Sequence, residues 1–222
     1  MTVQQFTTWS YSAYAQWKNC PRQAYYSRIL KLPQPSSPQM DRGTAIHQLA
    51  QDFVEGKRVD IPDELKKFKA QFTMLRDAKA GCEQNWGFTS TWQPCGFFAP
   101  DVWLRVKCDA TYVAKQSAVD TVVIIDHKTG KIYDEHHDQL ELYAAAGFIM
   151  FPYARKIVAQ DWYLDQDAMI EDVFESKQSK QLREKWNKNV EPYFADTIFP
   201  CRPSPRCRYC AFSKVNLGPC DF

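Results

Sequence analysis

The chain has almost no net charge. Its 28 basic and 26 acidic residues leave +2, so composition provides no broad electropositive field, and any nucleic-acid contact must come from a local patch. No apolar run approaches the roughly 20 residues needed to span a bilayer. The first ten residues lack both the charged and the apolar stretch of a secretory signal, so a cytoplasmic location without membrane association is expected. Around Gly43, Gly56, Gly81 and Gly87 there is no Gly-x-x-x-x-Gly-Lys pattern. That absence excludes a P-loop and makes any helicase partner a separate chain. Internal repeats and low-complexity tracts are missing too, which excludes a solenoid.

What is present suits a single domain over residues 1–222. Hydrophobic residues make up 45% and charged residues 24%, an ordinary globular balance. The eight cysteines, in a reducing compartment, point to metal ligation or buried thiols rather than disulfides. Aromatics reach 14%; Trp9, Tyr11, Trp86 and Trp92 are open to two readings, base stacking or core. From Pro200 the tail is locally basic, with Arg202, Arg206, Arg208 and Lys214 against Asp221.

The residue pattern predicts a helix over Trp9–Leu30, a loop at Pro33-Gln-Pro-Ser-Ser-Pro38, and helices over Gly43–Glu55 and Asp63–Ala80 with apolar residues at helical spacing. Val102–Val113 and Thr121–Ile125 read as strands, with a polar turn-like segment at 114–120 between them. A helix over Asp134–Met150, a strand over Ile157–Leu164 and a long polar helix over Glu175–Ala195 follow, the last with Leu182 and Trp186 inward. This order suggests an α/β domain with a mixed central sheet flanked by helices.

The stretch Val122-Val-Ile-Ile-Asp-His-Lys-Thr-Gly130 concentrates the chemistry. Residues two apart on a strand share a face, so Asp126 and Lys128 project together while His127 points away, its carbonyl remaining near. A carboxylate can hold Mg²⁺ or Mn²⁺, which prefer oxygen, and a nearby lysine can position or deprotonate an attacking water. An isolated Asp-x-Lys is also an ordinary strand-end ion pair. Asp109, in Val106-Lys-Cys-Asp-Ala-Thr-Tyr112 one hairpin away, is placed to complete a carboxylate pair; otherwise it is a solvated strand acid.

In their order, Gly43-Thr-Ala-Ile-His47, Asp109, Asp126-His-Lys128 and Gln139-Leu-Glu-Leu-Tyr143 resemble the motif set of RecB-type PD-(D/E)XK nucleases. Cys20-Pro-Arg22 with Tyr25-Tyr26, and Cys207-Arg-Tyr-Cys210 with Cys220, resemble the iron–sulfur-containing branch, which includes CRISPR-associated RecB-like exonucleases, AddB-type domains and phage exonucleases. The resemblance implies a restriction-endonuclease-like core over 40–195, with residues 1–35 and 196–222 forming a cysteine-rich metal subdomain that joins the termini. It implies metal ligation by His47, Asp109, Asp126 and the His127 carbonyl, action on water by Lys128, and positioning by Gln139 and Tyr143, which share a helix face at i and i+4. For His47 the plain alternative is a surface histidine on an amphipathic helix; for Gln139 and Tyr143 it is helix packing. His136 and His137 lie nearby and are given no role. Arg22, Arg42, Arg206 and Arg208 are candidates for substrate contact.

Cys207-x-x-Cys210 is a chelating spacing, and Cys220 follows within a turn-forming Gly218-Pro-Cys220. The resemblance makes Cys20 the fourth ligand, but Cys201 competes for that place, and the gap from Cys210 to Cys220 is longer than the family's. A [4Fe–4S] cluster is the first choice and Zn²⁺ the second. Cys82, Cys95 and Cys108 read as buried thiols.

The implied function is a Mg²⁺- or Mn²⁺-dependent deoxyribonuclease, an exonuclease preferring single strands or free ends, acting in DNA processing, recombination or CRISPR adaptation. Its setting would be a bacterial, archaeal or phage-infected cell, with a helicase, recombinase or CRISPR integrase as a possible partner. The alternatives are a catalytically weak nuclease-fold scaffold with a structural metal site, and a small zinc protein whose Asp-x-Lys is accidental.

Overall fold

A computed structural model describes residues 5–114, 119–132 and 136–222 of the chain, with no side-chain description at position 136. The chain divides into a larger unit, residues 38–186, and a smaller one formed by residues 1–37 with 187–222.

The larger unit opens with α3 (Pro38–Val54), which follows α1 (Tyr11–Asn19) and α2 (Pro21–Ala24) of the smaller unit. Helix α3 starts five residues earlier than its apolar stripe suggests, because Pro38 suits a first helical turn, where no amide partner is needed. The predicted Asp63–Ala80 helix resolves into a 3₁₀ stretch, Asp63–Phe68, and α4 (Lys69–Asp77). Six strands then form one mixed sheet: β1 (Gly81–Phe88), β2 (Pro94–Cys95), β3 (Leu104–Val113), β4 (Thr121–Lys128), β5 (Lys156–Tyr163) and β6 (Ala168–Glu175), in the order β2-β1-β3-β4-β5-β6. β4 and β5 are parallel, joined through α5 (His136–Met150), and the other pairs are antiparallel. Positions 115–118 of the turn-like segment and 133–135 of the predicted helix start lie outside the described residues. β1, β2 and β6 are additions to the sequence reading.

β4 is buried along nearly its whole length, as expected of a strand covered on both faces. Val123 and Ile125 join a core with Ile46, Phe53, Phe72 and Trp162. On the alternate register Ile124 meets α5: a Cβ on Gly147 would sit 2.6 Å from its Cδ1. Glycine there lets the helix approach the sheet closely. The same alternation decides which side chains can meet at the end of β4: Asp126 and Lys128 fall on the α5 side, and His127 on the α3/α4 side.

In the smaller unit, Ser10 caps α1, its Oγ accepting from the Ala13 amide at 3.3 Å. The predicted helix over Trp9–Leu30 breaks at Cys20, which is extended (φ −156°). A residue before proline is pushed out of helical geometry, and Pro21 follows. Aromatic rings fill the interior: Phe6 stacks on Tyr193 at 4.1 Å and Tyr25 on Phe199 at 4.8 Å. Tyr193 belongs to α6 (Ser179–Ala195), whose Leu182 and Trp186 are buried as predicted. The tail is held to the N-terminal segment by Arg22 N–H donating to the Pro200 carbonyl (3.3 Å) and Tyr26 O–H to the Pro219 carbonyl (3.2 Å). Gly218 lies so close to Phe212 that a Cβ would sit 2.2 Å from its carbonyl carbon.

Candidate active site

Backbone pairing of β3 with β4 stops at Ala110–Ile125. Beyond it, the His127 amide donates to Asp109 Oδ2 at 2.5 Å. A carboxylate thus takes over where the ladder ends, which sets Asp109 beside the Asp126–Lys128 segment. Asp109 Oδ1 lies 2.9 Å from His47 Nδ1 on α3. Burial alone would raise the Asp109 carboxyl, but the hydrogen bond from His47 and the nearby His127 hold it below the usual range. Conversely, burial pushes the His47 imidazole down, and Asp109, Asp126 and Glu83 outweigh it, leaving His47 above its usual value.

Glu83 is the residue that sequence reasoning missed. It lies on β1 between the pairs Cys82–Ala110 and Gln84–Cys108, across from Asp109. Its backbone is left-handed (φ 49°), a geometry that costs a non-glycine residue about 1 kcal/mol and concentrates at functional sites. Donor atoms of His47, Glu83 and Asp109 lie within 4.8 Å of one another. Two carboxylates facing each other across strands repel unless a cation intervenes. One imidazole and two carboxylates form a donor set that fits a hard divalent ion. Lys107 Nζ, 2.6 Å from Glu83, provides part of the compensation. The signal in the sequence was only an acid in a polar, glycine-flanked stretch.

Asp126 is not one of those three and heads a second cluster. Lys128 Nζ lies 2.6 Å from Asp126 Oδ2, donates to Gln139 Oε1 at 2.7 Å, and sits 3.9 Å from Asp161 on β5. Burial works against the Lys128 charge, but Asp126 and Asp161 prevail and hold the amine in its ammonium form. Asp161, fully buried and paired in register with Asp126, is pushed up chiefly by burial. The Tyr143 hydroxyl, also buried, lies at hydrogen-bonding distance from Asp126 Oδ1 and from the Lys107 carbonyl, and accepts from Gln139 Nε2 at 2.7 Å. The i and i+4 spacing on α5 brings both Gln139 and Tyr143 to Asp126. The His127 ring packs against Phe72 and Trp162, at 5.1 and 5.6 Å, facing away as the alternation predicts. His137 pairs with Asp172 at 2.7 Å.

The sequence-predicted arginines are dispersed. Arg42 makes a bidentate pair with Asp165 at 2.8 and 2.6 Å, which compensates its charge. Arg22 stands over Tyr25 and Tyr26, Arg206 donates to Asn19, and Arg208 lies over Tyr209 at 4.6 Å. Three of the aromatics considered for base stacking, Trp9, Trp86 and Trp92, are buried at 1%, 4% and 4% exposure. They are core, because their large apolar area outweighs a single ring nitrogen.

In the smaller unit, Cys20, Cys201, Cys207, Cys210 and Cys220 line one small cavity of about 20 Å³ together with Arg22 and Tyr26. The Sγ atoms of Cys201 and Cys220 are 3.2 Å apart. Burial, then the Cys220 hydrogen bond, pushes the Cys201 thiol up to about 12. Of the thiols expected to be buried, Cys108 is, whereas Cys82 and Cys95 are half-buried because they lie towards the sheet edge, on β1 and β2.

A family model for the PD-(D/E)XK nuclease superfamily matches residues 8–215. The chain belongs to that superfamily. Membership implies a metal-dependent nuclease that hydrolyses phosphodiester bonds in DNA, with Mg²⁺ or Mn²⁺ as the ion, and the mixed sheet flanked by helices agrees with the superfamily fold. One solved structure similar to this PD-(D/E)XK chain, described as "Crystal structure of SSO0001", aligns at TM-score 0.43 with 14% identity, over 96% of this chain and 87% of that one. A comparison with curated proteins finds no match. Among the described residues of this PD-(D/E)XK chain no helix is long and apolar enough to cross a membrane.

Proposed function

We propose that this nuclease is a DNA exonuclease of the RecB-like, iron–sulfur-containing branch, trimming free or single-stranded ends in DNA processing, recombination or CRISPR adaptation. The observation that carries the reading is the convergence of His47, Glu83 and Asp109 beside the Asp126–Lys128–Gln139–Tyr143 cluster. In this reading His47, Glu83, Asp109 and Asp126, with the His127 carbonyl, hold the cation. When bound, Mg²⁺ or Mn²⁺ offsets the negative charge growing on the phosphate and lowers the pKa of a water. Lys128, an ammonium tied between Asp126 and Gln139, orients the attacking water and the scissile phosphate rather than abstracting a proton. Gln139 and Tyr143 fix the Asp126 carboxylate. Arg22, Arg206 and Arg208 of the smaller unit are proposed phosphate contacts. The end preference rests on the resemblance alone, since Trp9, Trp86 and Trp92 are core.

Residues 1–35 and 196–222 are proposed to form a metal subdomain, and residues 40–195 the nuclease core. Its ligands are Cys20, Cys207, Cys210 and Cys220, and the donor set suits a [4Fe–4S] cluster first and Zn²⁺ second.

The test is digestion of end-labelled linear and circular single-stranded DNA with Mg²⁺ or Mn²⁺, comparing wild type with Asp126→Ala and Lys128→Ala. Wild type should shorten linear DNA and spare circles, and both variants should be inactive. Equal cutting by all three proteins would assign the activity to a contaminant. Binding without cutting by wild type would make the chain a scaffold.

A further inference from the structure

Five thiols line a cavity where a four-coordinate metal group needs four. The surplus falls at a defined place. Cys201 and Cys220 hold their sulfurs 3.2 Å apart. Two thiolates on one tetrahedral ion with metal–sulfur bonds of about 2.3 Å sit about 3.8 Å apart, and ligands on different irons of a cluster sit farther still. The pair is thus in direct contact, and with Cys220 in the proposed ligand set Cys201 is the thiol left over. In the proposed site Cys20, Cys207 and Cys210 are the other three ligands, and all three line the cavity.

The contact is fixed by the backbone on both sides. Cys201 follows Pro200, whose carbonyl accepts from Arg22 N–H at 3.3 Å. Cys220 donates its amide to the Phe212 carbonyl at 2.9 Å and follows Pro219, which accepts from Tyr26. A disulfide bond is about 2 Å long, so closing the pair needs roughly 1 Å of approach, within reach of side-chain rotation. Arg22 and Arg202 line the same cavity, and their charge suits the disulfide of an anionic thiol peptide as the oxidant.

Resting on the proposed four-cysteine metal site, we infer that Cys201 is a redox thiol set beside the ligand Cys220. It stays outside the metal's ligand set while the metal is bound, and joins Cys220 in a disulfide once the metal is lost. The oxidant is a low-molecular-weight disulfide of the glutathione type. Cys220 attacks it, the external sulfur–sulfur bond breaks, and one thiol leaves with a proton. Cys201 then gives up its proton and, as the thiolate, attacks the Cys220 sulfur; the Cys201–Cys220 bond forms, the mixed disulfide breaks, and the second thiol leaves with that proton. Two cysteine thiols are oxidised and one external disulfide is reduced to two thiols. The product removes Cys220 as a ligand until it is reduced.

The experiment uses the full chain, wild type and Cys201→Ser, loaded anaerobically with iron and sulfide or with zinc. Metal per chain is measured first. The metal is then stripped with a chelator, glutathione disulfide is added, and peptides are mapped by mass without reduction. Cys201→Ser should load metal at wild-type stoichiometry, and only wild type should give the Cys201–Cys220 cross-linked peptide. Loss of metal in Cys201→Ser would make Cys201 an obligatory ligand and overturn the inference, as would a wild-type map dominated by Cys207–Cys210. Wild type that takes up neither iron nor zinc would sink the metal site itself, while the cross-link map would still report on the thiol pair.

Discussion

At the scale of single residues, the Tyr143 hydroxyl has one proton and two acceptors within reach, the Asp126 carboxylate and the Lys107 carbonyl. Burial and the neighbouring Asp126 keep it protonated, with its pKa well above the usual phenol value. Tyr143→Phe removes that donor without changing the ring. Groups that orient a ligating carboxylate are commonly worth about 10–100-fold in activity or metal affinity, so nuclease activity should fall by roughly that factor while the melting temperature changes little. An unchanged rate would show that Asp126 needs no such anchor. Asp165 offers a test by pH. Its carboxyl is lowered by the Arg42 hydrogen bond, so its contribution exists above the unfolded value near about 4 and disappears as pH falls through and below it. The pair is largely exposed, which limits it to about 0.2–1 kcal/mol. Urea unfolding of wild type and Asp165→Asn should differ at neutral pH and converge as pH falls below the lowered folded-state value; a gap that persists in strong acid would rule out the ion pair as its source.

At the scale of elements, two local geometries carry the sites. β4 alternates so that Asp126 and Lys128 face α5, and α5 answers with residues four apart. Both regularities are written in the chain, and both were legible. The turn before Cys220 depends on Gly218, where a Cβ would collide with Phe212 backbone atoms at 2.2–2.4 Å. A backbone neighbour cannot rotate away, so Gly218→Ala should cost about 1–3 kcal/mol and reduce the metal taken up at the proposed four-cysteine site. Metal content at wild-type level would show that the turn can relax. By contrast, β1 and β6 escaped the sequence reading. β1 (Gly-Cys-Glu-Gln-Asn-Trp-Gly-Phe) is polar and glycine-bearing, and β6 at the sheet edge is stabilised by pairing with β5 rather than by its own propensity. With β1 unrecognised, Glu83 had no strand to stand on. Pro21 acted the other way: a single residue cut a helix that the apolar spacing alone would have continued.

At the scale of the whole molecule, the two chain ends share one compact unit, held by the Arg22–Pro200 and Tyr26–Pro219 hydrogen bonds, and their five thiols line one cavity. A metal held at the proposed four-cysteine site would stabilise the folded form, because no such site exists in the unfolded chain. Removing it with a chelator under reducing conditions should lower the melting temperature and expose residues 1–37 and 187–222 to protease first. Unaltered melting after complete metal removal would show that the aromatic packing of Phe6, Tyr25, Tyr193 and Phe199 is sufficient alone.

By itself the sequence determined the local facts: which residues share a strand face and which fall four apart on a helix. These follow from backbone periodicity, which acts over a few residues. Only the tertiary structure decided that His47 meets Asp109 across 62 positions, that Glu83 joins them, that Trp9, Trp86 and Trp92 are core, and that Cys201 rests against Cys220. Such meetings depend on strand register and on which surfaces bury together, and these are settled by the packing of the whole chain.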